Sequence, residues 1–186
     1  MNTVPNAPKA ENYEIRLIES GDNPAVCQLI MDILATFGCI GEGYASGDSE
    51  TQRMYDAYQK PDSRYWVIAD KQNGRILGAG GFSRLKGSTE EESICEMQKL
   101  YFYEELRGLG FGRKLIEMII AEAARVGFKN MYLETIPTME AAQALYRKYG
   151  FEYIDTHRGN TGHHVRCKVY MLRQLEIGRA SCRERV

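Results

Sequence analysis

The sequence predicts a single α/β domain, a mixed sheet with helices packed on it, and three observations carry that prediction. Strand-length segments of alternating apolar and polar residues are interleaved with segments whose apolar residues recur at helical spacing. Asn73-Gly74 stands between two strand-like runs as a hairpin signal, because both residue types tolerate the positive φ of a type I′ turn. The stretch LRGLGFGRKLIE, Leu106 to Glu117, sets three glycines at alternate positions before a basic, apolar-periodic run. Such a run is expected where backbone amides wrap a phosphate at the start of a helix.

Taken in order, YEIRLIE (Tyr13 to Glu19) alternates as a half-buried strand does. Asp22 offers an N-cap and Pro24 suits a first turn for the helix whose apolar positions are Val26, Leu29, Ile30, Ile33, Leu34 and Phe37. GCIGEGYASGDSE is a glycine-rich loop, and TQRMYDAYQ is a short helix that Pro61 ends. RYWVIAD (Arg64 to Asp70) and RILGAGGF (Arg75 to Phe82) are strands on either side of Asn73-Gly74. ICEMQKLYFY (Ile94 to Tyr103) is the fourth strand. GRKLIEMIIAEAARVGF is a long helix with Leu115, Ile119, Glu122/Ala123 and Val126 on one stripe and Gly127 at its stop. NMYLETI (Asn130 to Ile136) is a strand, MEAAQALYRKYG a helix, FEYID a strand, and CKVYMLRQL the last strand after a loop containing GNTGHH. The expected order is β-α-α-β-β-β-α-β-α-β-β, in one domain over 12–175.

Bulk properties set outer limits. The 186 residues suffice for one core, and 44% hydrophobic with 26% charged residues is ordinary globular composition. A formal net charge of −1 argues against a nucleic-acid binder that relies on bulk charge. Five scattered cysteines without a CxxC pair read as reduced thiols, and Cys95 reads as a strand residue only. The stretch 1–11 is polar, lacks the apolar core of a signal peptide and is expected to be flexible. No run approaches the ~18 apolar residues of a membrane helix, so a soluble, cytoplasmic protein is expected. Residues 176–186, EIGRASCRERV, resemble the conceptual translation of a sequencing-library adaptor and are read as a non-native tail.

Spacing tests the phosphate loop against its known owners. A dinucleotide loop needs G-x-G-x-x-G, but three residues beyond Gly110 stands Arg113. A Walker loop needs Gly-Lys before Ser or Thr, and no Gly-Lys pair occurs. Gly78-Ala79-Gly80-Gly81 lies inside a strand and reads as a bulge or close backbone approach. There remains R-G-L-G-F-G: Arg107 with Gly110 and Gly112 three and five positions on.

That pattern resembles the Q/R-x-x-G-x-G/A pyrophosphate loop of the GNAT superfamily of N-acetyltransferases. AQALYRKYGF (Ala142 to Phe151) resembles the family's second signature, A-x-x-LY-x-x-x-GF, at the expected distance downstream. The resemblance covers roughly Tyr13 to Leu175. It implies the GNAT acyl-CoA N-acyltransferase fold, in which the fourth and fifth strands splay apart and the fourth offers free backbone groups to a pantetheine arm. On this chain those lie around Leu100, Tyr101 and Phe102, and the pyrophosphate falls to Arg107, Gly108, Leu109, Gly110, Phe111, Gly112 and Arg113. The implied cosubstrate is acetyl-CoA, with no metal.

By the same resemblance Tyr146 donates a proton to the departing thiolate, a task open to a phenol that stays protonated at neutral pH. The general base is Glu96, Glu134 or water. Where many relatives carry an asparagine seven positions before the tyrosine, this chain has Met139, and Gln143 is the candidate to replace its contact. The loop GCIGEGYASGDSE offers Glu42 and Tyr44, with Asp48 and Glu50, to a cationic acceptor. His163-His164 lacks a third metal ligand in pattern and reads as non-metal. The expected reaction is direct transfer of acetyl to a primary amine, on a small molecule or peptide; a non-catalytic acyl-CoA-binding module is the alternative. No nucleic-acid or membrane partner is expected, and a homodimer is compatible with the sequence.

Overall fold

The computed structural model describes residues 9–176. The expectations for 1–8 and for 177–186, including Cys182, lie outside the described residues. Seven strands form one sheet: β1 (Tyr13–Leu17), β2 (Arg64–Asp70), β3 (Ile76–Arg84), β4 (Ile94–Phe102), β5 (Asn130–Thr135), β6 (Glu152–Ile154) and β7 (Val169–Gln174). Four α-helices join them: α1 (Asn23–Thr36), α2 (Met54–Ala57), α3 (Phe111–Val126) and α4 (Glu140–Lys148). The chain order is the expected one, and in space the strands run β1-β2-β3-β4-β5-β7-β6. Only the β4–β5 pair is parallel.

Period-two alternation explains how this sheet is covered on both faces. On β2, Trp66 and Ile68 join the core beneath α3, with Leu115, Ile116 and Ile119. Tyr65, Val67 and Ala69 point the other way and pack with Val26, Leu29, Ile30 and Leu34 of α1. A central strand buried on both faces therefore reads as a nearly unbroken apolar run. Phe37 lies one residue past α1 and is exposed rather than packed with the helix stripe. On α3, Glu122 leaves the expected stripe to Ala123 and pairs at the surface with Arg64 and Arg125. Gly127 ends the helix in the left-handed conformation at φ 109°.

Two local expectations are corrected. Asp22 occupies the N-cap position of α1 but does not cap it. Its carboxylate accepts from both Arg16 nitrogens at 2.6 and 2.9 Å and from the Glu19 amide at 2.8 Å. The β2–β3 turn is not type I′, since Gly74 has positive φ and Asn73 does not. Asp70 and Arg75 close a four-residue loop instead. The Asp70 amide donates to the Arg75 carbonyl at 2.9 Å and the Gly74 amide to the Asp70 carbonyl at 2.8 Å. Asp70 and Asn73 carboxyl and amide oxygens accept from the amides of Gln72 and Arg75, and these side-chain turns favour the longer loop.

The glycine-dense stretch of β3 marks a break in register. Ala79 pairs with Tyr101 and Gly81 with Gln98, so Gly80 faces both Lys99 and Leu100, a β-bulge in β4. Lys99 is left-handed at φ 49°, an uncommon state for a residue with a side chain. A Cβ on Gly80 would meet the Leu100 side chain, and one on Gly81 would meet the Arg64 carbonyl and come within 2.8 Å of the Tyr65 Cα. Close approach is thus what these glycines provide. Gly81→Ala should destabilise the protein by about 1–3 kcal/mol, because backbone must move to admit the methyl group. A urea midpoint that does not fall relative to wild type would contradict this packing.

Candidate active site

Along β4 the two parallel strands part before the bulge is reached. β4 and β5 pair only at Ile94↔Asn130, Cys95↔Met131 and Glu96↔Tyr132. β5 continues with β7 as far as Thr135↔Val169, so the β4 edge from Met97 to Phe102 has no strand beside it. The wedge between them is a cavity of about 90 Å³, lined by Leu100 and Tyr101 of β4, Glu134 of β5, and Met139 and Tyr146 at the α4 end. A second, open cavity of about 530 Å³ adjoins it, walled by the 48–62 segment and the β3–β4 turn. Glu96, Gln98, Lys99 and His163 border both cavities.

At the other end of the wedge the predicted loop has the geometry of an anion cradle. Gly108 and Gly110 adopt φ 76° and 81°, which a glycine reaches at no steric cost. The first ladder bond of α3 is Lys114 N–H to the Gly110 carbonyl at 3.1 Å. The amides of Phe111, Gly112 and Arg113 precede it and find no acceptor among the described residues. They sit at the positive end of a 16-residue helix. A Cβ on Gly112 would lie 3.5 Å from Leu145 and 3.9 Å from Phe102, so the loop seats against both β4 and α4. Arg107 and Arg113 are exposed; Arg107 pairs with Glu104 at 3.0 Å, an exposed contact that another anion can replace.

The three proposed catalytic side chains come to one place. Glu96, 5% exposed, is buried on β4. Burial pushes its carboxyl up to about 7; the Gln98 amide donating to Oε2 at 2.6 Å works against this, and the charge of Glu134 adds to it. Tyr58 donates to Gln98 Oε1 at 2.6 Å and so fixes which end of that amide faces Glu96. Glu134 accepts at Oε1 from Tyr132 at 2.8 Å and from Thr161 at 2.9 Å, while its Oε2 is buried without a partner among the described residues. Tyr146 is buried against Phe151, and desolvation raises its phenol to about 12.

Other candidates sit elsewhere or are engaged. Glu42 is exposed and lines neither cavity, whereas Tyr44 lines the wedge. Gln143 does not face the wedge: its Nε2 donates to the Ile136 and Pro137 carbonyls, and Tyr153 donates to its Oε1. It ties the β5–α4 connection, which removes it as a stand-in for the missing asparagine. Asp48 and Glu50 are not free acids, because the ammonium of Lys99 lies 2.9 Å from Asp48 and 2.5 Å from Glu50. Burial opposes the charge of Lys99, but the two carboxylates outweigh it and raise its pKa. His163 is raised as well; burial lowers it, and the 2.9 Å contact with Asp48 more than offsets this. Among the described residues no His/Cys/Asp/Glu group is arranged to hold a metal.

The sequence reading missed Lys99, Gln98 and Tyr58. The one local signal was a lysine in the apolar run ICEMQKLYF, where an interior cation demands partners. Two thiols also line the wedge, Cys39 and Cys167. Burial raises both, Cys167 to about 12.

A splayed parallel strand pair, with an amide cradle at one end and a buried tyrosine and glutamate at the other, defines an acyltransferase of the GNAT class. Residues 28–151 match the Acetyltransferase (GNAT) family model, and the chain belongs to that family. It is 39% identical over 175 residues to YjgM of Escherichia coli K12, described as an uncharacterised N-acetyltransferase, covering 94% of this chain and 99% of that one. Among solved structures, a GNAT acetyltransferase of Staphylococcus aureus Mu50 superposes with a TM-score of 0.71 at 18% identity, over 88% of this chain and 99% of its own. YncA of Salmonella typhimurium, solved with its cofactor acetyl-CoA, reaches 0.68 at 21% identity, over 91% and 97%. Among the described residues no helix is long and apolar enough to cross a membrane.

Lys99→Met should cost about 3–5 kcal/mol, since it leaves two carboxylates facing each other without their cation. Adding Glu50→Gln should recover part of the loss in urea unfolding. Equal stability of wild type and Lys99→Met would remove the ammonium from its structural role.

Proposed function

We propose that the chain transfers an acetyl group from acetyl-CoA to a primary amine by direct attack in a ternary complex. The observation that carries this reading is Glu96, a buried carboxyl poised near neutrality where the wedge meets the open cavity. Family membership and a structural neighbour solved with acetyl-CoA support the donor. The residues present fit that donor: the amides of 111–113 suit a pyrophosphate, and the unpaired β4 edge suits an amide-bearing arm. Bound acetyl-CoA supplies the thioester.

Glu96 takes a proton from the acceptor ammonium, directly or through water, and leaves the nitrogen lone pair free to attack. A backbone N–H of the β4 edge polarises the thioester carbonyl as negative charge develops on oxygen. Tyr146 gives its proton to sulfur as the carbon–sulfur bond breaks; a phenol held near 12 remains protonated until that moment. Gln98 steadies the ionised form of Glu96 through its 2.6 Å hydrogen bond, and Tyr58 orients Gln98.

Thiol release from acetyl-CoA over a panel of amines tests the reading. Tyr146→Phe and Glu96→Gln should each lower kcat/KM by about a hundredfold or more, the usual range for a lost general acid or base. Saturable coenzyme A binding without turnover on any amine would instead indicate a binding module.

The pH dependence follows from the sign of the Glu96 shift. The base works ionised, so kcat/KM should rise through about pH 7 and level off above it. Gln98→Leu removes a donor that favours the ionised form and should move that inflection to higher pH. An inflection that stays in place in Gln98→Leu would assign the titration to another group.

A further inference from the structure

The open cavity beside Glu96 has an uneven charge distribution that bears on the acceptor. Where both cavities meet, the buried carboxyl of Glu96 is bonded through Oε2 to Gln98, and its Oε1 has no partner among the described residues. Most of the remaining charge in the walls is matched within the protein. Lys99 lies between Asp48 and Glu50, Asp48 also holds His163, and Arg84 donates to Asp62 at 3.0 Å. Two cations of the wall are left over. Lys60, after α2, and Lys86, in the β3–β4 turn, have no carboxylate partner among the described residues. Both are exposed and belong to the two segments that wall the open cavity.

We infer that the acceptor is a small dipolar molecule, an amino acid or a compound of that charge pattern. Its ammonium is seated at Glu96 and its carboxylate faces Lys60 and Lys86. The inference rests on the acetyl-transfer reading and specifies its substrate class. An enclosure of about 530 Å³ with protein on several sides suits a ligand of metabolite size. Polycationic amines are disfavoured, because a second ammonium would lie against the two uncompensated lysines. A buried ammonium–carboxylate contact at one end and a more solvated pair of contacts at the other would fix the direction in which the acceptor enters.

Matched acceptors provide the test: an amino acid, its carboxamide and its decarboxylated amine, assayed by thiol release at a pH where each amine is equally ionised. The free acid should be preferred in kcat/KM roughly five- to tenfold, as expected for two partly exposed ion pairs. Lys60→Met with Lys86→Met should collapse that preference toward unity, chiefly through KM for the acid. Equal or better turnover of the carboxamide and the plain amine by wild type would overturn the dipolar acceptor while leaving acetyl transfer intact. If no amine turns over, the acetyl-transfer reading fails. Calorimetric binding of the same three compounds to the coenzyme A-loaded protein then still decides, since tighter binding of the acid supports the charge assignment and equal binding overturns it.

Discussion

The shape of the cleft depends on a single unfavourable backbone conformation and the cation that makes it tolerable. Lys99 takes up a left-handed φ inside a strand, which doubles the residues of β4 facing Gly80 on the stretch that β5 has already left. Such a conformation survives where the surroundings over-determine it. Here the ammonium is buried between Asp48 and Glu50, and the Lys99 carbonyl accepts from the Tyr65 hydroxyl at 2.8 Å. The same ion cluster brings the 45–53 segment onto the sheet, and through His163 it draws in the long β6–β7 connection. The bulge and two walls of the open cavity thus meet at one ammonium.

Hydrogen bonding gives the cleft a division of labour between its strands. β4 supplies backbone on its open edge and a carboxyl whose surroundings hold it near neutrality. β5 supplies a second carboxylate, tied by Tyr132 and Thr161, whose main electrostatic effect is to make ionisation of the first harder. α4 brings the phenol and, at Leu145, a side chain against which the glycine loop rests. Each group comes from a different element, and none moves without disturbing the core beneath it.

Most of the architecture was legible because it is encoded over short distances. Alternation along β1, the stripe of α3 and the stop at Gly127 are properties of adjacent residues. The glycine loop and the LY pair are likewise local patterns, and the structure has the loop at the start of α3 and Tyr146 on α4. What could not be read were the long-range pairings. Tyr58 meets Gln98 across 40 positions, Lys99 meets Glu50 across 49, and Asp48 meets His163 across 115. No spacing rule connects such residues, so Asp48 and Glu50 looked free to bind an amine when they were already paired with Lys99. Gln143 misled for a related reason: its amide was legible as a polar group near the site, but the carbonyls that hold it are set by the turn at Ile136 and Pro137.

The thiols in the wedge have a consequence for an enzyme that handles an activated acyl group. A thioester exchanges its acyl group with any thiolate held near it, and only the ionised sulfur is a competent nucleophile. Cys39 and Cys167 both border the cavity, yet burial keeps each in its protonated form. The desolvation that raises the phenol of Tyr146 therefore also keeps these two thiols from competing for an acyl group held in the wedge.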